Sequence, residues 1–358
     1  MKAIKFFAIS AMAAAMITSC STDDELSQSN YPSDNIVRVT AGVNNAKTRA
    51  EGQGTPLEKP LSLTVVNKNE NATLAKKYTY VNKVFTKDDN GAWNCSETLL
   101  WQKDTQPVDI VAFAPAPNGK FNGVYGEGST QPIQSITYSV ADDQSTLSDN
   151  NDLLYYYAKD FKPGEGLKDK KLSIQFNHAF CMIDINVTLG TEFNKPEVLK
   201  ESPIVKVTLG GTKIAANVDV TKAATSNTTG STEGSTATGS TTTTTASVVT
   251  VSETDAPTTI TTTKGSFDKA ANAEANAKSC FSCIAIPQTV AANTFKVSLM
   301  TAGKRYEWTS AVPVELKSGY KYTLELSMGN DVVLLKNGSI SASPWTEGDT
   351  GDKPLETD

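Results

Sequence analysis

The chain has 358 residues, a formal net charge of −6 and an isoelectric point near 5.1, a length that suffices for two ordinary domains. No basic stripe is present and aromatic residues do not interleave with Lys/Arg clusters, so nucleic acid is not among the expected partners. A single histidine, His178, leaves little material for a histidine-based triad or a His-rich metal site, and four cysteines beyond Cys20 are too few for a disulfide-built scaffold.

The first residues read as a leader. Lys2 and Lys5 make a positive start, Phe6 to Met16 an apolar run too short to span a bilayer, and Ile17-Thr18-Ser19 lead into Cys20. This order resembles a bacterial lipoprotein signal over residues 1–19, with Ile17 where leucine is commoner. The resemblance implies cleavage before Cys20, acylation of its thiol and attachment to the outer membrane through lipid. The plainer reading is a secretory signal with an incidental cysteine. Asp23, Asp24 and Glu25 then look like the acidic export tag of Bacteroidetes surface lipoproteins, although the polar stretch from Ser21 to Asn35 also suits a flexible tether. No second long apolar run follows, so no transmembrane helix is expected.

From Ile36 to Val43, Val37, Val39, Ala41 and Val43 alternate with more polar residues, the period-two pattern of a half-buried strand. Asn44 to Gly54 is a loop of Asn, Gly and basic residues, the kind of segment that proteases cut. Short strand-like runs follow at Leu61–Val66, Lys77–Phe85, Thr98–Trp101, Val108–Ala114, Ile133–Val140, Leu153–Tyr157 and Leu172–Val187. A junction is expected in the segment from Asn194 to Pro203, and a second series occupies Ile204–Leu209, Lys213–Val220, Cys280–Ile286, Thr294–Met300, Lys304–Thr309, Tyr320–Met328 and Val332–Leu335. Helical periodicity over ten or more residues is missing beyond the leader. Many short strands between Gly, Asn, Asp and Pro predict an all-β chain of two tandem β-sandwich domains, 50–198 and 199–345, with 20–49 as tether and first strand and 346–358 as an acidic tail. Residues 221–263, dominated by Thr and Ser, read as a surface loop inserted in the second domain, with Val248 to Val251 able to pair as a strand.

Several local signatures recur in a fixed order. Trp101-Gln102-Lys103-Asp104 precedes Val108 to Pro115; Asp152 to Ala158 and Leu172 to Ile183 follow; then come Ile284 to Thr289, Leu316 to Tyr322 and Ile340 to Trp345. In this order, and with Thr48-Arg49-Ala50 behind the Cys20 signal, the chain resembles the fimbrillin family of type V pilus subunits from Bacteroidetes. The resemblance implies transthyretin-like sandwiches, no enzymatic activity, no cofactor, and an assembly route. Cleavage between Arg49 and Ala50 would remove the strand carrying Val37, Val39, Ala41 and Val43. The groove left behind would accept a C-terminal strand of a neighbouring subunit, with Val333, Leu335 and Ile340 as candidate plugs. The implied partners are other pilus subunits in a head-to-tail polymer and a host or bacterial surface ligand; the implied location is the outer membrane, then the fimbrium. Without cleavage, the first strand is an ordinary edge strand and Arg49 one loop arginine among others.

Two features invite catalytic or metal readings and support neither. His178 alternates with Phe176 and Phe180, which predicts a packed, hydrogen-bonded core histidine with all three on one face. Cys280 and Cys283 have redox or zinc spacing, but on a strand they point to opposite faces and no second ligand pair exists, so no metal site is expected. The rival function is a non-polymerising surface lipoprotein that binds glycans or host ligands, with Trp93, Trp101, Trp308 and Trp345 as candidate stacking residues, most of them expected to be packed.

Overall fold

The computed structural model describes residues 30–44, 55–116, 135–146, 151–195, 197–222, 247–335 and 340–345. In chain order the strands are β1 (Val39–Val43), β2 (Thr55–Pro56), β3 (Leu61–Asn67), β4 (Tyr80–Lys87), β5 (Trp93–Cys95), β6 (Val108–Ala114), β7 (Ser135–Ser139), β8 (Leu154–Phe161), β9 (Leu172–His178) and β10 (Cys181–Leu189). They continue as β11 (Ile204–Thr212), β12 (Ala215–Asp219), β13 (Val249–Val251), β14 (Thr258–Thr261), β15 (Thr263–Asp268), β16 (Ala277–Ala285) and β17 (Thr289–Val290). The last six are β18 (Lys296–Thr301), β19 (Arg305–Thr309), β20 (Val314–Glu315), β21 (Tyr320–Met328), β22 (Val333–Leu335) and β23 (Ser341–Pro344). Two short α-helices, α1 (Ala72–Lys77) and α2 (Pro163–Gly166), and a 3-10 turn at Thr191–Asn194 join the strands. The Asn71 side chain caps α1 by accepting from the Thr73 and Leu74 amides, so the strand expected from Lys77 starts only at Tyr80. Among the described residues no helix is long and apolar enough to cross a membrane.

The fold is an all-β sandwich. The first sheet runs β2-β1-β9-β8-β6-β3-β4-β5, but β8 and β9 share only the pairs Leu154↔His178 and Tyr155↔Asn177. The sheet is thereby split into two halves whose inner faces share one core. Val39, Val43, Leu172, Ile174 and Phe176 come from one half; Leu61, Leu63, Ile110, Ala112 and Leu154 come from the other. Further along, the sheet β15-β16-β10-β21-β22, with β23 also on β21, packs against β14-β11-β18-β19. Ile183, Ile185, Leu324 and Leu326 from the former meet Val207, Leu209, Val297 and Leu299 from the latter. A third sheet, β13-β12-β7, adds Ile136, Tyr138 and Val218 to this second core, which also takes in Val111 and Phe113 from the other face of β6.

The sheets do not divide at the expected junction near 199. The run Leu172–Val187 breaks after His178, and β10 leaves the first sheet to pair with β16 and β21. β7 likewise joins β12 rather than its sequence neighbours. Phe180, expected beside Phe176, therefore sits in the second core while Phe176 stays in the first. The Thr/Ser-rich stretch is also shorter as a loop than expected. β13 pairs with β12, and β14 pairs with β11 and buries Ile260, so Val249–Val251 and Thr258–Thr261 belong to the sheets. Residues 223–246 of that stretch and the 346–358 tail lie outside the described residues.

Candidate strand-exchange surfaces

The N-terminal strand is built as its alternation predicts. Val37, Val39 and Val43 are buried in the first core and Ala41 is half-buried against it. β1 runs parallel to β9, with Val39↔Leu172 through Val43↔Phe176 in register, and among the described strands its other side carries only the two-residue β2. The hydrogen bonds extend past the strand: the Leu172 amide donates to Arg38 O (2.7 Å) and the Asn44 amide to Phe176 O (2.8 Å). The segment just before β1 changes partner. The Val37 amide donates to Leu99 O and the Trp101 amide to Asn35 O, both at 2.8 Å. Residues 35–44 thus close one side of the first core with backbone bonds at both ends and valines between them. Cys20, Arg49 and Ala50 lie outside the described residues.

The C-terminal segment lies on its own subunit, along β21. β22 pairs at Leu326–Met328 and β23 at Tyr320–Thr323, so two short strands share one edge. Val333 is buried and Leu335 half-buried, while Val332 and Leu334 are 51% and 59% exposed, an alternation with one face docked and one open. Leu335 and Ile340 border a cavity of about 290 Å³ that Trp308, Val314 and Tyr322 also line. β23 itself contributes only exposed side chains.

What holds the end of this segment is an aromatic contact. The Trp345 ring stacks on His178, with centroids 3.8 Å apart and planes 14° from parallel. The Trp345 amide donates to Gly319 O at 2.7 Å, and the Gly319 amide to Phe180 O at 2.9 Å. Gly319 has φ +70, the left-handed conformation that glycine adopts without a Cβ penalty. His178 is buried as expected; its Nδ1 lies 3.1 and 3.2 Å from the two oxygens of Asp152, and its Nε2 has no hydrogen-bond partner among the described residues. Sequence reading anticipated the packed histidine but not its neighbours, because Asp152, Gly319 and Trp345 arrive from three distant segments. His178 ends β9, the strand that carries β1, so the stack places the tip of the C-terminal segment at the end of β9.

The other candidate residues are structural in their surroundings. Trp101 is 2% exposed, and Trp93 and Trp308 are half-buried against the two cores. Cys280 and Cys283 are buried free thiols on β16, and only Cys283 joins the second core, consistent with opposite faces. Burial pushes the Cys283 thiol up to about 12 and raises that of Cys280. Among the described residues no three His, Cys, Asp or Glu side chains gather to hold a metal ion.

The profile of the Fimbrillin-like family matches residues 48–345. This chain belongs to the fimbrillin-like family. No curated protein sequence matches it. Solved structures share the fold. A candidate cell adhesion protein from Bacteroides ovatus is 15% identical with a TM-score of 0.56, over 87% of this chain and 97% of that one. A fimbrial protein from Bacteroides vulgatus is 13% identical with a TM-score of 0.51, over 86% and 99% of the two chains. A candidate cell adhesion protein from Bacteroides uniformis is 16% identical with a TM-score of 0.50, over 88% and 100%. The fimbrillin-like family is a structural one. Its profile begins two residues before Ala50, after β1, and ends on Trp345, so it covers β22 and β23 but not β1.

Proposed function

We propose that this protein is a structural subunit of a cell-surface pilus, assembled by proteolysis-triggered strand exchange and supporting adhesion. The observation that carries the reading is β1: a strand parallel to β9 with buried valines, ending six residues before Arg49 in the sequence. Residues 1–19 are a lipoprotein leader, Cys20 carries the lipid that holds the precursor at the outer membrane, and cleavage falls between Arg49 and Ala50.

Loss of β1 strips β9 of its ladder and leaves Leu172, Ile174 and Phe176 beside an emptied slot. An unpaired edge of this kind templates another strand. Each refilled valine site restores roughly 1.5–3 kcal/mol of apolar burial. The donor comes from the C-terminal segment of a neighbour, with Val333, Leu335 and Ile340 as plugs. On their own subunit Val333 and Leu335 sit on a three-residue strand and Ile340 just before a four-residue one, the kind of element that opens locally at low cost. Because donor and acceptor are different surfaces, the contact repeats head-to-tail without closing and builds a fibre.

Mass spectrometry of the protein sheared from cells tests this. A mature N-terminus at Ala50 in a fibre-forming fraction is the expected result. Finding only a Cys20-lipidated monomer would overturn the exchange mechanism for a stalk position.

A further inference from the structure

Outside the two strand surfaces, the described residues enclose a cleft of about 1220 Å³, above the roughly 300–1,000 Å³ of a typical single-ligand pocket. One wall is the outer face of the first sheet. The alternation that sends Ile174, Phe176 and His178 of β9 inward sends Gln175 and Asn177 outward. The register places Tyr155 of β8 opposite Asn177, so Tyr157, two residues on, shares this face, half-buried where it borders the second core. Asn44, just past β1, joins them. The facing wall comes from β13, the β17–β20 pair and the turn before β21, and Tyr320 there is 36% exposed.

The chemistry of the lining narrows the ligand. Two lysines and two glutamates border the cleft, so its formal charge cancels. Glu315 lies 3.2 Å from Lys317, and Glu253 lies 3.9 Å from Lys213. A polyanion finds no net attraction here. Three side-chain amides, Asn44, Gln175 and Asn177, sit on one wall: the Asn44 Nδ2 donates to Asn177 Oδ1 at 2.8 Å, which leaves the Asn44 carbonyl and the Asn177 amide protons without a partner among the described residues. Side-chain amides offer donors and acceptors side by side, as a ring of hydroxyls requires. Tyr157 and Tyr320 add flat apolar faces with a polar tip. A peptide adding as a strand would need a sheet edge, and the strands in the facing wall offer only two or three residues each.

We propose that this cleft is a carbohydrate-binding site for an oligosaccharide without net charge, its rings lying on Tyr157 and Tyr320 and its hydroxyls bonded by Asn44, Gln175 and Asn177. The site goes beyond the assembly role; cleavage after Arg49 would remove Asn44 and leave Gln175 and Asn177, so binding is read on the unprocessed, unpolymerised protein, separately from fibre formation. The test is an array of defined neutral and sialylated oligosaccharides, followed by titration of the best neutral glycan against the purified protein. Expected is binding of a neutral oligosaccharide that Asn177→Ala and Tyr157→Ala each weaken at least tenfold, while Trp93→Ala leaves it within twofold. Asn177 is exposed, so its substitution leaves the core intact and the test stands even where Tyr157→Ala unfolds. Absence of glycan binding, preference for sialylated chains, or binding indifferent to Asn177→Ala overturns the proposal.

Discussion

Lys321 and Asp184 meet across the β10–β21 ladder with nitrogen and oxygen 2.9 Å apart and side chains 13% and 9% exposed. Two charges withdrawn from water this far compensate each other, and removing one strands its partner, at about 3–5 kcal/mol. Lys321→Met should lower the unfolding free energy in urea by about that amount, whereas Lys83→Met, which breaks an exposed pair with Glu97, should change it by about 1 kcal/mol or less. The thiols give a second readout. Burial raises Cys181, Cys280 and Cys283, which keeps them protonated near neutral pH, while Cys95 is half-exposed. Titration of the native protein at pH 8 with an aromatic disulfide should therefore modify Cys95 and spare the other three, and unfolding should release all four. Acid acts at the start of the N-terminal segment. Hydrogen bonds from Arg38 hold the Asp34 carboxyl well below its ordinary value of 3.8. The folded value is depressed, so this contribution is present above the ordinary value and fades as pH falls toward the folded one; exposure keeps it small.

Among the elements, the short strands on β21 are the ones whose release the assembly reading requires. The Trp345–His178 stack is their terminal clasp. Trp345→Ala should speed hydrogen exchange at the Tyr320–Thr323 amides that pair with β23 and leave the β10–β16 ladder unchanged. Equal exchange in variant and parent would mean the stack holds nothing. β1 is the complementary case. Val43 is fully buried where β1 meets Phe176, so Val43→Asp places an unpaired carboxylate in the first core. The precursor should lose several kcal/mol of stability, read by thermal melting, while protein processed at Arg49 should be indifferent because the residue is gone.

On the proposed assembly route these elements act in one cycle. A synthetic peptide of residues 331–345 should bind protein lacking residues 1–49, fail to bind the unprocessed chain, and shorten fibres when present during growth; deletion of 331–358 should abolish fibres. Much of this organisation was legible from side-chain alternation. The runs at Val108–Ala114 and Tyr320–Met328 are strands with those bounds, and the valines at 37, 39 and 43 face a core as their spacing predicts. The order of motifs from Trp101 to Trp345 led to the family, which the profile match then established. The pairings were not legible. β1 finds β9 across more than a hundred residues, β7 crosses to β12, and one apolar run from Leu172 breaks to serve two cores. Neither the His178–Trp345 stack nor the amide-lined cleft has a local signature, because each is assembled from segments far apart in the chain. Strand character and facing are local consequences of a two-residue period, so the amino-acid order suffices for them. Which edges meet depends on how all the apolar faces can be buried at once, a condition that exists only when the chain is folded.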